Sequence, residues 1–533
     1  MNADAAVFLR ADTKLEPLSW RWYAWGHLVS PVQRAFNLAF RQVPMLRSFV
    51  ANPGVHEAAA KNPKLIGGAF LELGRSDVPA VRALLERVLE HGRPAIEFAE
   101  EWIKLDRRLQ KSETGFSLDT VYGELPPNLA GLVEATYDLA QHPKLRVNEE
   151  LAWETEFADA AAQEVAFCRT RDEQRNFFIN TPRLDSGERL VLPAAFDGRV
   201  FDLLSTSRTA PLPFGEIAAA FGLHPDDAAH HRLGAFFCDE PPPRNAPEYR
   251  GDGVRVRYFG HACVLLQTGD VSVLIDPFLT WDVDANEGTL TFHDLPDRID
   301  YVFLTHNHQD HFSIEALLQL RGRIGSILVP RNNANCLADP SMKLALRGIG
   351  HDRVRVMDPM ERLPLPHGHL VSLPFYGEHA DLEITSKHGL YVDLKGRRFL
   401  FLADSDAKDR ALYRRIARRL GGVDHLFIGM ECDGAPLSWL YGPYLSHPLS
   451  RKEDESRRLS GSDAARAWSI VEELGCASAY VYAMAQEPWL RFVAGLRYTP
   501  QSKQIVESDA FVARCREAGI PAERLCGSRT MEL

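Results

Sequence analysis

Residues 306–311 read His-Asn-His-Gln-Asp-His, which puts three imidazoles and a carboxylate within six positions and no apolar residue among them. Side chains this dense repel one another on protonation and gain nothing from burial. A pair of metal ions gives the clustering a purpose. His306 and His308, two residues apart, can face one ion, while Asp310 and His311 at the following turn face a second. The five residues before them, Tyr301–Thr305, form an apolar run expected to be a strand. Ligands placed on a strand-end loop are held by a rigid element, as catalytic geometry demands.

The rest of the chain must position that cluster. At 533 residues it exceeds one ordinary core, so two or more domains are expected. The composition, 45% hydrophobic and 25% charged, is that of a globular protein without low-complexity tracts. No stretch approaches a membrane-spanning apolar run, and the N-terminus lacks the layout of a signal peptide. The eight cysteines are scattered without a paired pattern and read as reduced thiols, so a cytoplasmic location is expected. A formal charge of −11 argues against nucleic-acid binding, which needs clustered Lys and Arg.

Residues 239–253 (DEPPPRNAPEYRGDG) are too rich in Pro and Gly for a helix or central strand and read as a linker between residues 1–238 and 254–533. The N-terminal part reads as mostly helical α+β. SDVPAVRALLERVLEHG has helical spacing and stops at Gly92, PPNLAGLVEATYDLAQHP is expected to behave similarly, and ERLVLPAAF and GRVFDLLS suggest strands. PLPFGEIAAAFGLHPDDAAHHRLGAFF has a helix-turn-helix rhythm, but without a basic recognition face it is expected to be helical packing. After the linker, VRVRYFGHACVLLQ and VSVLIDPF form a β-hairpin. Further strands are expected at 301–305, 326–329, 354–357, 369–375, 390–394, 398–403 and 425–429, with helices at 313–320, 406–420 and 462–474. That alternation implies a layered α/β domain.

The order Tyr-Phe-Gly-His261-Ala-Cys-Val, Ile275-Asp276-Pro277, then Thr305-His306-Asn-His308-Gln-Asp310-His311 resembles the metallo-β-lactamase fold, an αββα sandwich with a dinuclear metal site along one edge. The resemblance covers roughly residues 254–485. It implies a bridging carboxylate, for which Asp404 at the end of RFLFLAD fits, and a ligand in the third segment, where Phe375-Tyr376-Gly377-Glu378-His379 offers either Glu378 or His379. Hydrolases of the fold place a His there; a Glu makes the site richer in oxygen donors and suits a redox iron better than a zinc hydroxide. A late His on the second metal is also usual, and His447 is the last histidine in the chain. Asp276 and His261 are candidates to hold ligating imidazoles from behind.

Over almost its whole length the sequence is similar to the non-haem diiron β-hydroxylases of nonribosomal peptide assembly. That resemblance implies one iron on His306, His308 and Glu378, a second on Asp310 and His311, and Asp404 bridging, with Glu378 as the catalytic carboxylate that loosens when substrate arrives. It further implies O₂ and an external electron donor as co-reactants, a carrier-domain thioester of an amino acid as substrate, and a homodimer. Phe375, Tyr376, Trp439 and Tyr441 are candidates to line an aromatic-binding pocket, and the arginines of ALYRRIARRLGG are candidates to steer an acidic carrier. The competing reading is a binuclear zinc hydrolase that uses metal-bound hydroxide.

Overall fold

Two seven-stranded sheets face one another in the computed structural model, which describes residues 3–62, 65, 67–112, 114–158, 160–169, 175–281, 288–495 and 497–533. The first sheet runs Val354–Met357, Ile324–Pro330, Ile299–Phe303, Ser272–Ile275, Val264–Gln267, Arg255–Tyr258 and Arg529–Glu532. The second runs Arg362–Leu365, Gly368–Leu373, Gly389–Leu394, Arg397–Phe401, His425–Gly429, Ser478–Tyr482 and Ala522–Arg524. Val256, Val264, Val273 and Phe303 of one sheet meet Val392, Phe399, Phe401 and Phe427 of the other in a fully buried layer. Alternate residues of these strands face outward and are also buried, because helices cover both sheets. Arg410–Leu420, Ala464–Leu474 and Lys503–Glu517 cover the second sheet, and Ile314–Leu320 covers the first. This is the αββα arrangement expected from the sequence. Its last two strands, one at the edge of each sheet, come from the final twelve residues, which sequence patterning left unassigned.

The N-terminal part is α+β. The helix Val78–His91 forms as expected and ends where the Gly92 N–H bonds the Val88 carbonyl. Two expectations fail. Residues 133–137 form a strand paired with Pro143–Val147, not a helix. Val, Thr and Tyr favour the extended chain there, and the Asp138 carboxylate ties the turn through the Ala140 and His142 N–H groups. GRVFDLLS is a helix, Arg199–Ser207, because Val200, Phe201, Leu203 and Leu204 bury together. The helix-turn-helix rhythm gives Phe214–Ala220 and Ala228–Gly234, whose apolar residues pack into the core below the first sheet. Residues 239–253 contain neither helix nor strand.

The N-terminal part is locked to the sandwich close to the metal-ligand loop. Glu16, on the strand Lys14–Ser19, accepts from Arg175 at 2.9 Å and Arg183 at 3.2 Å. Arg175 also pairs at 2.8 Å with Glu315, in the helix that follows the loop. All four side chains are buried. Burial alone would raise the Glu16 carboxyl, but Arg183 and Arg175 outweigh it and hold it below its ordinary value. Gly26 approaches the loop itself: a Cβ there would stand 2.4 Å from Asn307 Oδ1 and 3.0 Å from the Phe312 ring. Removing the charge of Glu16 leaves two buried guanidiniums with one carboxylate. Glu16→Gln is therefore expected to cost about 3–5 kcal/mol in urea unfolding; a loss below about 1 kcal/mol would show that the cluster does not hold the halves together.

Candidate metal centre

The candidate ligands all leave strand ends at one rim of the sandwich. Residues 306–311 follow Ile299–Phe303, Glu378 follows Gly368–Leu373, and Asp404 follows Arg397–Phe401. Asp276 ends the neighbouring strand, and its N–H bonds the Phe303 carbonyl at 2.9 Å. The backbone is strained here. His261 (φ 51°), Asp276 (41°), Glu378 (68°), Ala403 (44°), Ala483 (53°) and Ala485 (48°) all occupy the left-handed region that non-glycine residues avoid. Each costs on the order of 1–3 kcal/mol, and their collection at one rim marks a site for which the surrounding fold compensates.

Six side chains converge. His306, His308 and Glu378 bring ligand atoms within 4.8 Å of one another, as do His306, His311 and Asp404. Glu378 Oε1 is 2.8 Å from His308 Nδ1, and Asp404 Oδ2 is 3.0 Å from His311 Nε2 and 3.7 Å from His306 Nε2. Asp310 Oδ2 lies 3.9 Å from His311 Nε2. His306 Nε2, His311 Nε2, Glu378 Oε2 and Asp404 Oδ1 are buried with no hydrogen-bond partner among the described residues. Buried polar atoms without partners are costly, and two cations would satisfy these together. The donor set of three imidazoles and three carboxylates suits iron.

Hydrogen bonds behind the cluster fix which nitrogen of each imidazole faces inward. Asp276, fully buried, accepts from the Thr305 N–H at 2.7 Å, the Thr305 hydroxyl at 2.6 Å and His311 Nδ1 at 2.7 Å. With its proton on Asp276, the Thr305 hydroxyl can only accept from His306 Nδ1, 3.0 Å away. Both His306 and His311 therefore turn Nε2 toward the cluster, where the neutral ring offers its lone pair. His308 is turned the other way. Its Nε2 meets the Tyr441 hydroxyl at 3.2 Å, leaving Nδ1 toward Glu378.

The electrostatics follow. Burial holds His306 well below the usual imidazole range, and His311 and His308 push the same way. His308 is pushed down to about 4, again chiefly by burial. Burial also opposes charge on His311, but Asp404, Asp310 and Asp276 together outweigh it and raise its pKa. Glu378 is raised well above the carboxylate range by burial and then by Asp404 and Asp310.

Other expected residues fall differently. His447 is exposed, in a turn whose neighbour Ser446 accepts from Arg107 of the N-terminal part, and it joins neither of these ligand groups. The chain past Tyr444 turns away toward the helix Arg93–Lys111, so the expected late ligand does not reach the rim. The His379 ring lies against His308, tilted by 33° with centroids 4.5 Å apart, and joins no ligand group. His261 Nε2 is 3.2 Å from Asp310, but its Nδ1 accepts from the Ala485 N–H. In its neutral form His261 must then carry its proton on Nε2, which faces Asp310 and offers no lone pair. Phe375 and Tyr441 border the cluster, Trp439 packs on Phe177, and Tyr376 is exposed. Arg410 and Arg414 of the basic helix are tied to Glu472 and Glu473, so this face is in part a salt-bridged helix pair. Sequence reasoning passed over Thr305 and Glu487, whose Oε1 holds the His261 N–H at 3.0 Å and the Tyr258 hydroxyl at 2.6 Å. It also passed over Glu431, whose carboxyl is raised by burial and by Asp404 and Glu378. A lone Thr or Glu carries no spacing signal.

The two sheets and the rim cluster together define a metallo-β-lactamase-fold enzyme with a dinuclear metal site. Residues 255–391 match the family described as "Beta-lactamase superfamily domain", and residues 8–241 match "Diiron non-heme beta-hydroxylase N-terminal domain". The chain is 35% identical over 535 residues (98% of this chain, 99% of the relative) to the 4-amino-L-phenylalanyl-(CmlP-peptidyl-carrier-protein) 3-hydroxylase of Streptomyces venezuelae. It also matches the crystal structure of CmlA, a diiron β-hydroxylase from that organism, with a TM-score of 0.92 at 34% identity, covering 99% of this chain and 100% of the other. A shorter likeness, 32% over 88 residues and 15% of each chain, joins it to the cytidine monophosphate-N-acetylneuraminic acid hydroxylase of Pan troglodytes. The chain belongs to the non-haem diiron β-hydroxylase family.

His311 and Glu378 must lose protons to ligate, whereas His306 and His308 are already neutral. Loading the apoprotein with Fe²⁺ at pH 7 is therefore expected to release protons, and affinity should rise with pH. Anaerobic calorimetry in buffers of different ionisation enthalpy counts them, and zero release would contradict these protonation states. Asp276→Asn is expected to weaken iron binding about 10–100-fold, read by competition with a chelator.

Proposed function

We propose that this hydroxylase acts on the β-carbon of an aromatic amino acid held as a thioester on a carrier domain. The observation that carries the reading is the set of buried, unpartnered donor atoms on His306, His311, Glu378 and Asp404, with Glu378 in the third ligand segment. The full-length relative acts, by its name, on a carrier-protein-bound 4-amino-L-phenylalanyl group. His306, His308 and Glu378 would hold one iron, and Asp310 and His311 the other, with Asp404 between them. When bound and reduced, the irons supply a place for O₂ and electrons for inserting one oxygen atom into a C–H bond. The balance is R–H, O₂, two electrons and two protons giving R–OH and water, with the electrons from an external donor.

The residues here contribute geometry and dryness. Asp276 and Thr305 keep His306 and His311 in the ligating tautomer, and Tyr441 meets His308 Nε2 so that its Nδ1 faces the cluster. Lys387 donates to the Gly377 carbonyl at 2.8 Å and steadies the turn that carries Glu378. Asp310 keeps 14% of its side chain exposed, against at most 4% for the other five, so substrate approaches from its side. Tethering the amino acid supplies proximity and excludes untethered competitors. Glu378 in place of His favours this reading over the zinc hydrolase.

The test is to incubate reduced, iron-loaded protein with O₂ and carrier domains bearing 4-aminophenylalanine, phenylalanine or tyrosine, then weigh the intact carrier. A gain of one oxygen atom, carrying label from ¹⁸O₂, is expected with iron and not with zinc. Thioester cleavage without oxygen gain would favour the hydrolase instead.

A further inference from the structure

A cleft of about 370 Å³ opens beside the metal-ligand rim, lined by Ala485, Gln486, Glu487, Arg491, Arg497 and Tyr498. Its inner wall adjoins the site, because the Ala485 N–H bonds His261 and Glu487 holds the backbone of the same histidine. Tyr498 lines the same cleft, and burial, then the Glu431 and Asp404 carboxylates, push its hydroxyl up. Two features of the cleft are unused. The Tyr498 hydroxyl and Gln486 Oε1 are buried without a hydrogen-bond partner among the described residues. The guanidiniums of Arg491, half-buried, and Arg497, exposed, likewise form no ion pair or hydrogen bond with any described residue.

Glu487 turns its Oε1 to Tyr258, His261 and the Gly527 N–H and forms no ion pair with either arginine. Two free guanidiniums at the mouth of a cleft, in a chain of net charge −11, favour an anion there. The carboxylate-rich inner end would repel one. Between them the unpartnered groups ask for a neutral ligand with amides: Gln486 Oε1 can accept an amide N–H, and the Tyr498 hydroxyl can donate to an amide carbonyl. An amino acid held as a thioester has no free carboxylate, so the anion belongs to its tether.

We propose that this cleft receives the phosphopantetheine arm, with Arg491 and Arg497 clasping its phosphate and Gln486 and Tyr498 bonding its amides, which delivers the thioester to the irons. The proposal rests on the carrier-tethered reading above and adds how the tether is recognised. Guanidiniums bind phosphate oxygens through paired, charge-assisted hydrogen bonds, so the phosphate sets affinity and leaves the chemical step alone.

The experiment compares wild type, Arg491→Ala, Arg497→Ala, the double variant and Arg491→Lys, all iron-loaded. Each is given 4-aminophenylalanyl thioesters of pantetheine, of 4′-phosphopantetheine and of the whole carrier. In parallel, calorimetry measures binding of 4′-phosphopantetheine and pantetheine alone. Wild type is expected to favour the phosphorylated forms about 10–100-fold in KM and in binding. The double variant should lose that preference while its KM for the pantetheine thioester and its kcat stay unchanged, and Arg491→Lys should keep part of it. Equal losses on both thioesters, or a preference that survives the double variant, would overturn the proposal. If wild type turns over no thioester, the tethered-substrate reading fails, and the calorimetric comparison still decides whether the cleft recognises phosphate.

Discussion

The carboxylate of Asp276 is the point on which the rim turns. It is fully buried at a left-handed φ of 41° and accepts three hydrogen bonds, from the Thr305 N–H, the Thr305 hydroxyl and His311 Nδ1. Together these settle the tautomers of two imidazoles that must both offer Nε2. The strained backbone is tolerated because parallel pairing of Ser272–Ile275 with Ile299–Phe303 over-determines where Asp276 lies. An apolar side chain there would leave the Thr305 N–H unpaired and His306 and His311 free to take the wrong tautomer.

Around that anchor, three imidazoles and three carboxylates share a buried pocket. Burial and like charges drive the Glu378 carboxyl up, while three carboxylates hold His311 protonated despite burial. The two groups are therefore poised in protonation states that oppose ligation. Cation binding reverses both, so part of the binding free energy is spent on moving protons and the apo site cannot be indifferent to pH. The N-terminal part bears on the same balance through Gly26 against Asn307 and Arg175 on Glu315. The ligand loop is thus clamped from the side opposite its sheet.

What could be read from the sequence, and what could not, divides along the range of the forces involved. The His-x-His-x-Asp-His run and the apolar strand before it announce themselves within a dozen residues, because ligand spacing and strand alternation are local. Strand and helix periodicity likewise placed most of both sheets. His447 misled because proximity in a folded rim was inferred from an order of residues, whereas the chain after Tyr444 leaves for the N-terminal helices. Residues 133–137 misled because their apolar spacing is compatible with a helix, and tertiary pairing with Pro143–Val147 decided otherwise. The closing strands Ala522–Arg524 and Arg529–Glu532 are short and polar, and they exist only because each sheet offers them an edge.

The role of His261 shows how a ligand set can be narrowed by one backbone hydrogen bond. By distance alone it qualifies, since its Nε2 lies 3.2 Å from Asp310 and it clusters with Asp310 and His311. Yet Nδ1 accepts from the Ala485 N–H, and a neutral imidazole that accepts at one nitrogen carries its proton on the other. With its proton on Nε2, His261 faces Asp310 across 3.2 Å without occupying a metal coordination position. The second iron in the proposed set then has only Asp310, His311 and Asp404 from the protein, with His447 on the outer surface. Fewer protein ligands on that side leave room for exogenous ones, and it is the side where Asp310 retains exposure. Because the Ala485 N–H keeps the His261 proton on Nε2, the openness of this centre depends on a main-chain amide.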